Sequence, residues 1–167
     1  MMFELKNKRI IITGTSSGIG KQLCFELAKY NPRLILMARN FEALDQVRDE
    51  LISANPGLDE PIIISCDISN EMAVKNAIKQ LSPEKQPIDI LINNAGIGIY
   101  GPIKNTVPQD FKQLLDINFL GAVNLTYHTL PHFPEDSPGM IVFISSIAAL
   151  YGMPCYAAYS ASKAALR

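Results

Sequence analysis

The chain has 167 residues, 48% of them apolar, with a formal net charge of −1. That is enough for one domain with a buried core and too little for two ordinary ones, and without any run of Lys and Arg neither a nucleic acid nor an anionic membrane is expected as a partner. Cys24, Cys66 and Cys155 are odd in number, widely spaced and outside any Cys-x-x-Cys pattern, which fits reduced structural thiols and a cytoplasmic setting.

The opening segment MMFELKNKRI lacks a long apolar stretch, which argues against a signal peptide. RIIIT, Arg9–Thr13, is a β-branched run that halts at Gly14, as a buried parallel strand does. Leu23, Leu27 and Tyr30 then recur at helical spacing until Asn31-Pro32. LILMA, Leu34–Ala38, reads as a second strand, Phe41–Ser53 as a second helix, and IIIS, Ile62–Ser65, as a third strand after the Asn55-Pro56-Gly57 breaker.

Glu71–Leu81 has a helical pattern, and IDILIN, Ile88–Asn93, that of a fourth strand. One long helix is expected to carry Phe111, Leu114, Leu115, Asn118, Phe119, Ala122 and Leu125 on a single face. MIVFIS, Met140–Ser145, is the fifth strand, and a further helix starts near Tyr156. No charged residue occurs from Ser137 to Ser162, but Ser145, Ser146 and Pro154 interrupt that stretch, so no membrane span is expected. Repeated strand–helix units with continuously apolar strands imply an α/β fold, a parallel sheet covered by helices on both faces, in one domain spanning residues 1–167.

The segment TGTSSGIG, Thr13–Gly20, joins the first strand to the first helix, where open α/β sheets bind phosphates. Gly14 permits the turn, Gly18 lets the backbone approach a pyrophosphate, and Gly20 allows tight helix packing, while the helix start offers free N–H groups. Thr15, Ser16 and Ser17 add hydroxyl donors, and Ile19 lies in the same loop. The spacing is Gly-x-x-x-Gly-x-Gly rather than the commoner Gly-x-Gly-x-x-Gly.

Together with NNAG, Asn93–Gly96, and YSASK, Tyr159–Lys163, this loop resembles the short-chain dehydrogenase/reductase family over the whole chain. The resemblance implies a three-layer, Rossmann-type, doubly wound parallel sheet in the order 3-2-1-4-5. It also implies an NAD(P)-dependent oxidoreductase acting on a small-molecule carbonyl or secondary alcohol. Cofactor contacts are expected from the glycine loop, from Asp67 and Ile68 at the adenine, from Asn94, Ala95 and Gly96, and from Tyr159 and Lys163. The second strand ends in Met-Ala-Arg-Asn, so Ala38 leaves the acidic, NAD-selecting position empty and Arg39 can meet a phosphate. NADP(H) is favoured, with NAD(H) open. Asp67 could equally serve as an Asx-turn or helix-capping residue.

Reducing a carbonyl requires a proton as well as a hydride, and a phenol titrating near about 10 donates poorly without help. Lys163 follows Tyr159 by four residues, so on a helix the two share a face and the ammonium favours the phenolate. The family's matching lysine also binds the nicotinamide ribose. Ser146, at the carboxyl edge of the sheet, could donate to the substrate oxygen; the family spacing selects it over Ser145, which is expected to be buried. Asn118 matches the family asparagine whose local helix distortion holds a relay water, and a structural hydrogen bond is the competing role. Tyr156 has no lysine four residues on, and His128 and His132 are expected at the surface, without a metal.

Family members continue past the Tyr-x-x-x-Lys helix with two more strands, so the chain is expected to be C-terminally truncated, with its fifth strand an exposed apolar edge. In full-length form the family pattern implies a homo-oligomer. The alternative to a catalyst is a non-catalytic nucleotide-binding remnant.

Overall fold

A computed structural model describes residues 4–81 and 86–167. Strand β1 (Arg9–Thr13) is the centre of a five-stranded, wholly parallel sheet ordered β3-β2-β1-β4-β5, with β2 Arg33–Ala38, β3 Ile62–Ser65, β4 Ile90–Asn93 and β5 Met140–Phe143. The helices are α1 (Gly18–Ala28), α2 (Phe41–Ala54), α3 (Glu71–Leu81), α4 (Pro108–Leu115), α5 (Gly121–Thr129) and α6 (Ala157–Ala165). This is the parallel α/β architecture that the sequence pattern implies, in the doubly wound strand order that the family resemblance implies.

Alternation along β1 divides the core in two. Ile10 and Ile12 point to one face and meet Cys24 and Ala28 of α1 and Leu44, Val47 and Leu51 of α2. Ile11 points to the other and, with Ile35 and Met37, meets Val74, Ala77 and Ile78 of α3 and Leu125 of α5. Ile10, Ile11 and Ile12 are 0% exposed, and each such side chain stabilises the fold by about 1.5–3 kcal/mol through burial. A strand buried on both faces reads as a continuous apolar run, which is why β1 and β2 are plain in the sequence.

Four expectations are corrected. Leu23 and Leu27 are only partly buried and Tyr30 lies outside α1, 60% exposed; Cys24 and Ala28, smaller residues, take the deepest positions because α1 approaches the sheet closely. The fourth strand begins at Ile90 rather than Ile88, whose amide bonds the His132 carbonyl. The fifth ends at Phe143, since the Ile144 carbonyl is taken by Lys163. The long helix is broken between α4 and α5 by one π turn, Asp116–Leu120. Among the described residues no helix is long and apolar enough to cross a membrane, and the uncharged stretch is divided among β5, a short 3-10 turn and α6.

The β1–α1 turn sets the geometry above the sheet. Gly14 (φ +71°) and Gly18 (φ +56°) occupy the left-handed region, and at Gly20 a Cβ would collide with the Gly14 carbonyl oxygen. That obstacle is backbone, so it cannot swing aside. Gly20→Ala is expected to cost about 1–3 kcal/mol, read as a lower urea midpoint with an unchanged slope.

The cysteines differ in reach. Burial pushes the Cys24 thiol up to about 12 and the Cys66 thiol to about 11, whereas Cys155 is half-buried in a loop. Thiolate is the reactive form, so iodoacetamide at pH 8 is expected to label Cys155 first and leave Cys24 and Cys66 unmodified until the chain unfolds, as peptide mass mapping would show.

Candidate active site

The carboxyl ends of the strands and the starts of α1 and α6 open into one cavity of about 780 Å³. Its lining holds Gly14, Ser16, Ser17, Gly18, Ile19 and Gly20 from the glycine loop, together with Arg39, Asp67, Ile68, Asn94, Ala95, Gly96, Ser146, Tyr159 and Lys163. Two of the residues expected at the site do not line it. Thr15 is 0% exposed and faces inward, so its hydroxyl is not a donor to a ligand as expected. Asn118 is also buried, beneath the cavity rather than on its wall.

The loop's position is fixed from β4. Thr13 Oγ1 accepts from the backbone amides of Asn94 (3.0 Å) and Ala95 (2.9 Å), and Asn94 Nδ2 donates to the Thr13 carbonyl at 2.8 Å. The strand ends that carry the two motifs are thereby locked side by side. Ser17, at the N-cap of α1, places no side-chain acceptor on the helix amides, so the first turn presents unsatisfied donors and the positive end of the helix dipole to the cavity.

At the β2–β3 end of the cavity Arg39 is exposed, and among the described residues its guanidinium has no ion-pair partner. Ala38 beside it brings no carboxylate. Asp67 accepts from the amide (3.0 Å) and hydroxyl (2.7 Å) of Ser69, an Asx turn, while also lining the cavity. Of the roles weighed for Asp67 from the sequence, the Asx turn is the one made here, and the residue still borders the cavity. The cap of α3 is Asn70, whose Oδ1 accepts from the Ala73 amide at 3.1 Å.

Tyr159 and Lys163 lie on α6 with the ammonium 5.9 Å from the ring centroid. Lys163 is 4% exposed and its Nζ donates to the Ile144 carbonyl at 2.8 Å; burial lowers its pKa from the ordinary lysine value. The Tyr159 ring rests against the bare backbone of Gly98, where an added Cβ would sit 3.7 Å away. The Tyr156 ring meets it edge to face, centroids 5.9 Å apart, and Tyr156 in turn meets Tyr100 at 5.1 Å.

Asn118 holds α6 from below. Its Nδ2 donates to the Ile97 carbonyl and to Ser162 Oγ, both at 2.9 Å, and its Oδ1 accepts from the Ile97 amide at 2.8 Å. Ser162 Oγ in turn donates a hydrogen bond to the Tyr159 carbonyl at 2.8 Å. The side chain thus makes the structural bonds named as its competing role, and it sits within the π turn, a helix distortion frequent at functional sites.

Ser146 does not end β5 but caps the 3-10 turn Ile147–Ala149, its Oγ accepting from the Ala148 amide at 3.2 Å. Ser145 is exposed rather than buried, because β5 has a strand neighbour on one side only, and both serines line the cavity. His128 pairs with Glu71 at 3.2 Å, and both His128 and His132 are half-buried. Sequence reasoning missed Thr13, Ser162, the Ile144 carbonyl, and Ile117, Ile147, Met153 and Tyr156 of the cavity wall. Thr13 and Ser162 lie inside the quoted motifs, whereas the others carry no signal of residue type.

Comparison with known proteins agrees with this fold. The family model described as short chain dehydrogenase matches residues 8–167. Dehydrogenase/reductase SDR family member 7 of Mus musculus is 35% identical over 167 residues, covering 99% of this chain and 49% of that protein. The chain spans about half the length of the curated relatives it matches. Among solved structures, a short-chain dehydrogenase from Shigella flexneri complexed with NADP superposes with a TM-score of 0.90 at 28% identity, over 98% of this chain and 69% of that one. A short-chain dehydrogenase/reductase from Burkholderia phymatum in complex with NAD gives 0.90 at 28%, over 99% and 58%. With its family model, its relatives and its fold in agreement, the chain belongs to the short-chain dehydrogenase family.

Proposed function

We propose that the chain carries the cofactor and acid/base half of an NADP(H)-dependent oxidoreductase that interconverts a carbonyl compound and a secondary alcohol. The observation that carries this reading is the meeting of Ser146, Tyr159 and Lys163 in the same cavity as the glycine loop. The residues fit a dinucleotide. The uncapped start of α1 and the glycine backbone suit a pyrophosphate, and Asp67 and Ile68 flank the place for an adenine. Arg39, partnerless among the described residues and next to Ala38, suits a ribose phosphate better than a free ribose hydroxyl. NADP and NAD each occur in a complex of a similar structure, so the preference rests on Arg39 and Ala38.

A nicotinamide coenzyme supplies or accepts the hydride when bound. In reduction Tyr159 would give its phenolic proton to the substrate oxygen as the C=O π bond opens, and in oxidation it would take that proton back. Ser146 donates a hydrogen bond to the same oxygen as charge grows there. Lys163 supports the phenolate electrostatically, and its bond to Ile144 holds the ammonium in place while Asn118 and Ser162 keep the helix in register.

Tyr159→Phe keeps the ring and removes the proton. Its expected effect is a loss of at least about 100-fold in kcat, with the NADPH-induced rise in melting temperature retained. Cofactor binding without turnover in the unaltered chain would favour the non-catalytic reading instead. Arg39→Ala is expected to weaken NADPH binding about tenfold or more and leave NADH unchanged in a fluorescence titration. Equal losses for both would remove the case for NADP.

Lys163 also leaves a mark on stability. Its folded pKa is depressed, so between that value and the unfolded 10.5 the unfolded chain still binds a proton that the folded chain has released. Stability conferred at this site therefore rises with pH across that window and is level above it. Denaturation midpoints measured from pH 8 to 11 should show this rise in the unaltered chain and lose it in Lys163→Met.

A further inference from the structure

Charge is unevenly distributed around the cavity. Among the described residues its charged lining consists of Arg39 and Asp67 at the β2–β3 end and Lys163 on α6; the Tyr159 ring packs against Gly98 and Tyr156, and the lining also holds Ile97, Ile147, Met153 and the two serines. Lys163 cannot serve as counter-ion to a substrate anion, because it is 4% exposed and already committed to the Ile144 carbonyl. Tyr100, which packs on Tyr156, is 71% exposed, and Ile147 of the lining 60%. Tyr100, Tyr156 and Tyr159 form a continuous aromatic wall, each ring edge to face with the next.

We propose that the walls this chain contributes select an uncharged ketone or secondary alcohol with apolar groups on both sides of the reacting carbon, and reject one bearing a carboxylate or phosphate near it. The proposal rests on the oxidoreductase reading. An anion placed against Ile147, Met153 and Tyr156 loses its water and gains no cation in return, which is the costly case for burying charge. An apolar body gains from the same wall by burial and by contact with the ring edges. Discrimination of this kind comes from the unpaired group and not from size, so it applies to any skeleton that fits.

The test uses matched pairs in which a carboxylate replaces the methyl group on the reacting carbon: 4-phenyl-2-butanone against 2-oxo-4-phenylbutanoate, and 2-decanone against 2-oxodecanoate. Each is offered to the whole chain with NADPH for turnover, and with NADP for the rise in melting temperature. The expected result is a kcat/KM at least about 100-fold higher for the neutral member of each pair. Ile147→Lys, a change at an exposed rim position, should then narrow that ratio at least tenfold while leaving the NADPH-induced melting shift intact.

Comparable rates for both members would overturn the proposal and leave the oxidoreductase reading standing. If nothing is turned over but only the neutral members raise the melting temperature, the wall selects as proposed and the acid/base reading fails. If neither member binds, both fail. An Ile147→Lys variant that leaves the ratio of a turned-over pair unchanged would also count against the wall as the source of selection.

Discussion

The lock between Thr13 and Asn94 governs what is built above the sheet. One hydroxyl accepts two successive backbone amides, and one carboxamide returns a bond to the Thr13 carbonyl, so the ends of β1 and β4 are tied at the point where the chain leaves both strands. Gly14 and Gly20 must then pass close to that tie. A Cβ at Gly14 would lie 2.8 Å from the Ala95 Cα, and one at Gly20 2.5 Å from Asn94 Nδ2. Two motifs 81 residues apart are thus one piece of geometry, and the spacing of the glycines follows from packing as much as from phosphate binding.

A second set of polar contacts brings α6 to the same edge. Lys163 reaches the Ile144 carbonyl, Asn118 reaches Ile97 and Ser162, and Ser162 reaches the backbone of Tyr159. Each group is largely enclosed, where an unmade hydrogen bond costs about 1–3 kcal/mol, so the set holds one arrangement against alternatives. The phenol of Tyr159 is left facing the cavity while its backbone is held from behind.

Much of this could be read from the residues. The buried strands are continuous apolar runs, and the glycine loop, Asn94 to Gly96, Tyr159 and Lys163 occur at spacings with a chemical reason. What could not be read is of a different kind. The ends of β4 and β5 depend on where the amide of Ile88 and the carbonyl of Ile144 find partners, which no local pattern encodes. The π turn at Asp116–Leu120 leaves an apolar periodicity close to that of an unbroken helix. Thr15 looks like a phosphate donor because its neighbours Ser16 and Ser17 line the cavity, yet the turn at Gly14 sends its hydroxyl inward. Tyr156 lacks the lysine that marks Tyr159, and its place beside that ring follows from the approach of residues 98–101 to the start of α6.

The strand order also governs how the molecule comes together in time. Thr13 and Asn94 are 81 residues apart in sequence, and β1 pairs with β4 across the whole of β2 and β3. Parallel pairings of such separation must overcome the entropy of closing a long loop before any contact rewards it, so chains of this contact order fold slowly compared with helical bundles. The first two crossovers, β1–α1–β2 and β2–α2–β3, can form from nearby residues alone. The cavity cannot, since its floor exists only after β4 has inserted beside β1 and α6 has docked on Ile144. A nucleotide held there would bind only the latest species on the folding route, and would pull slow, partly assembled chains toward the finished state.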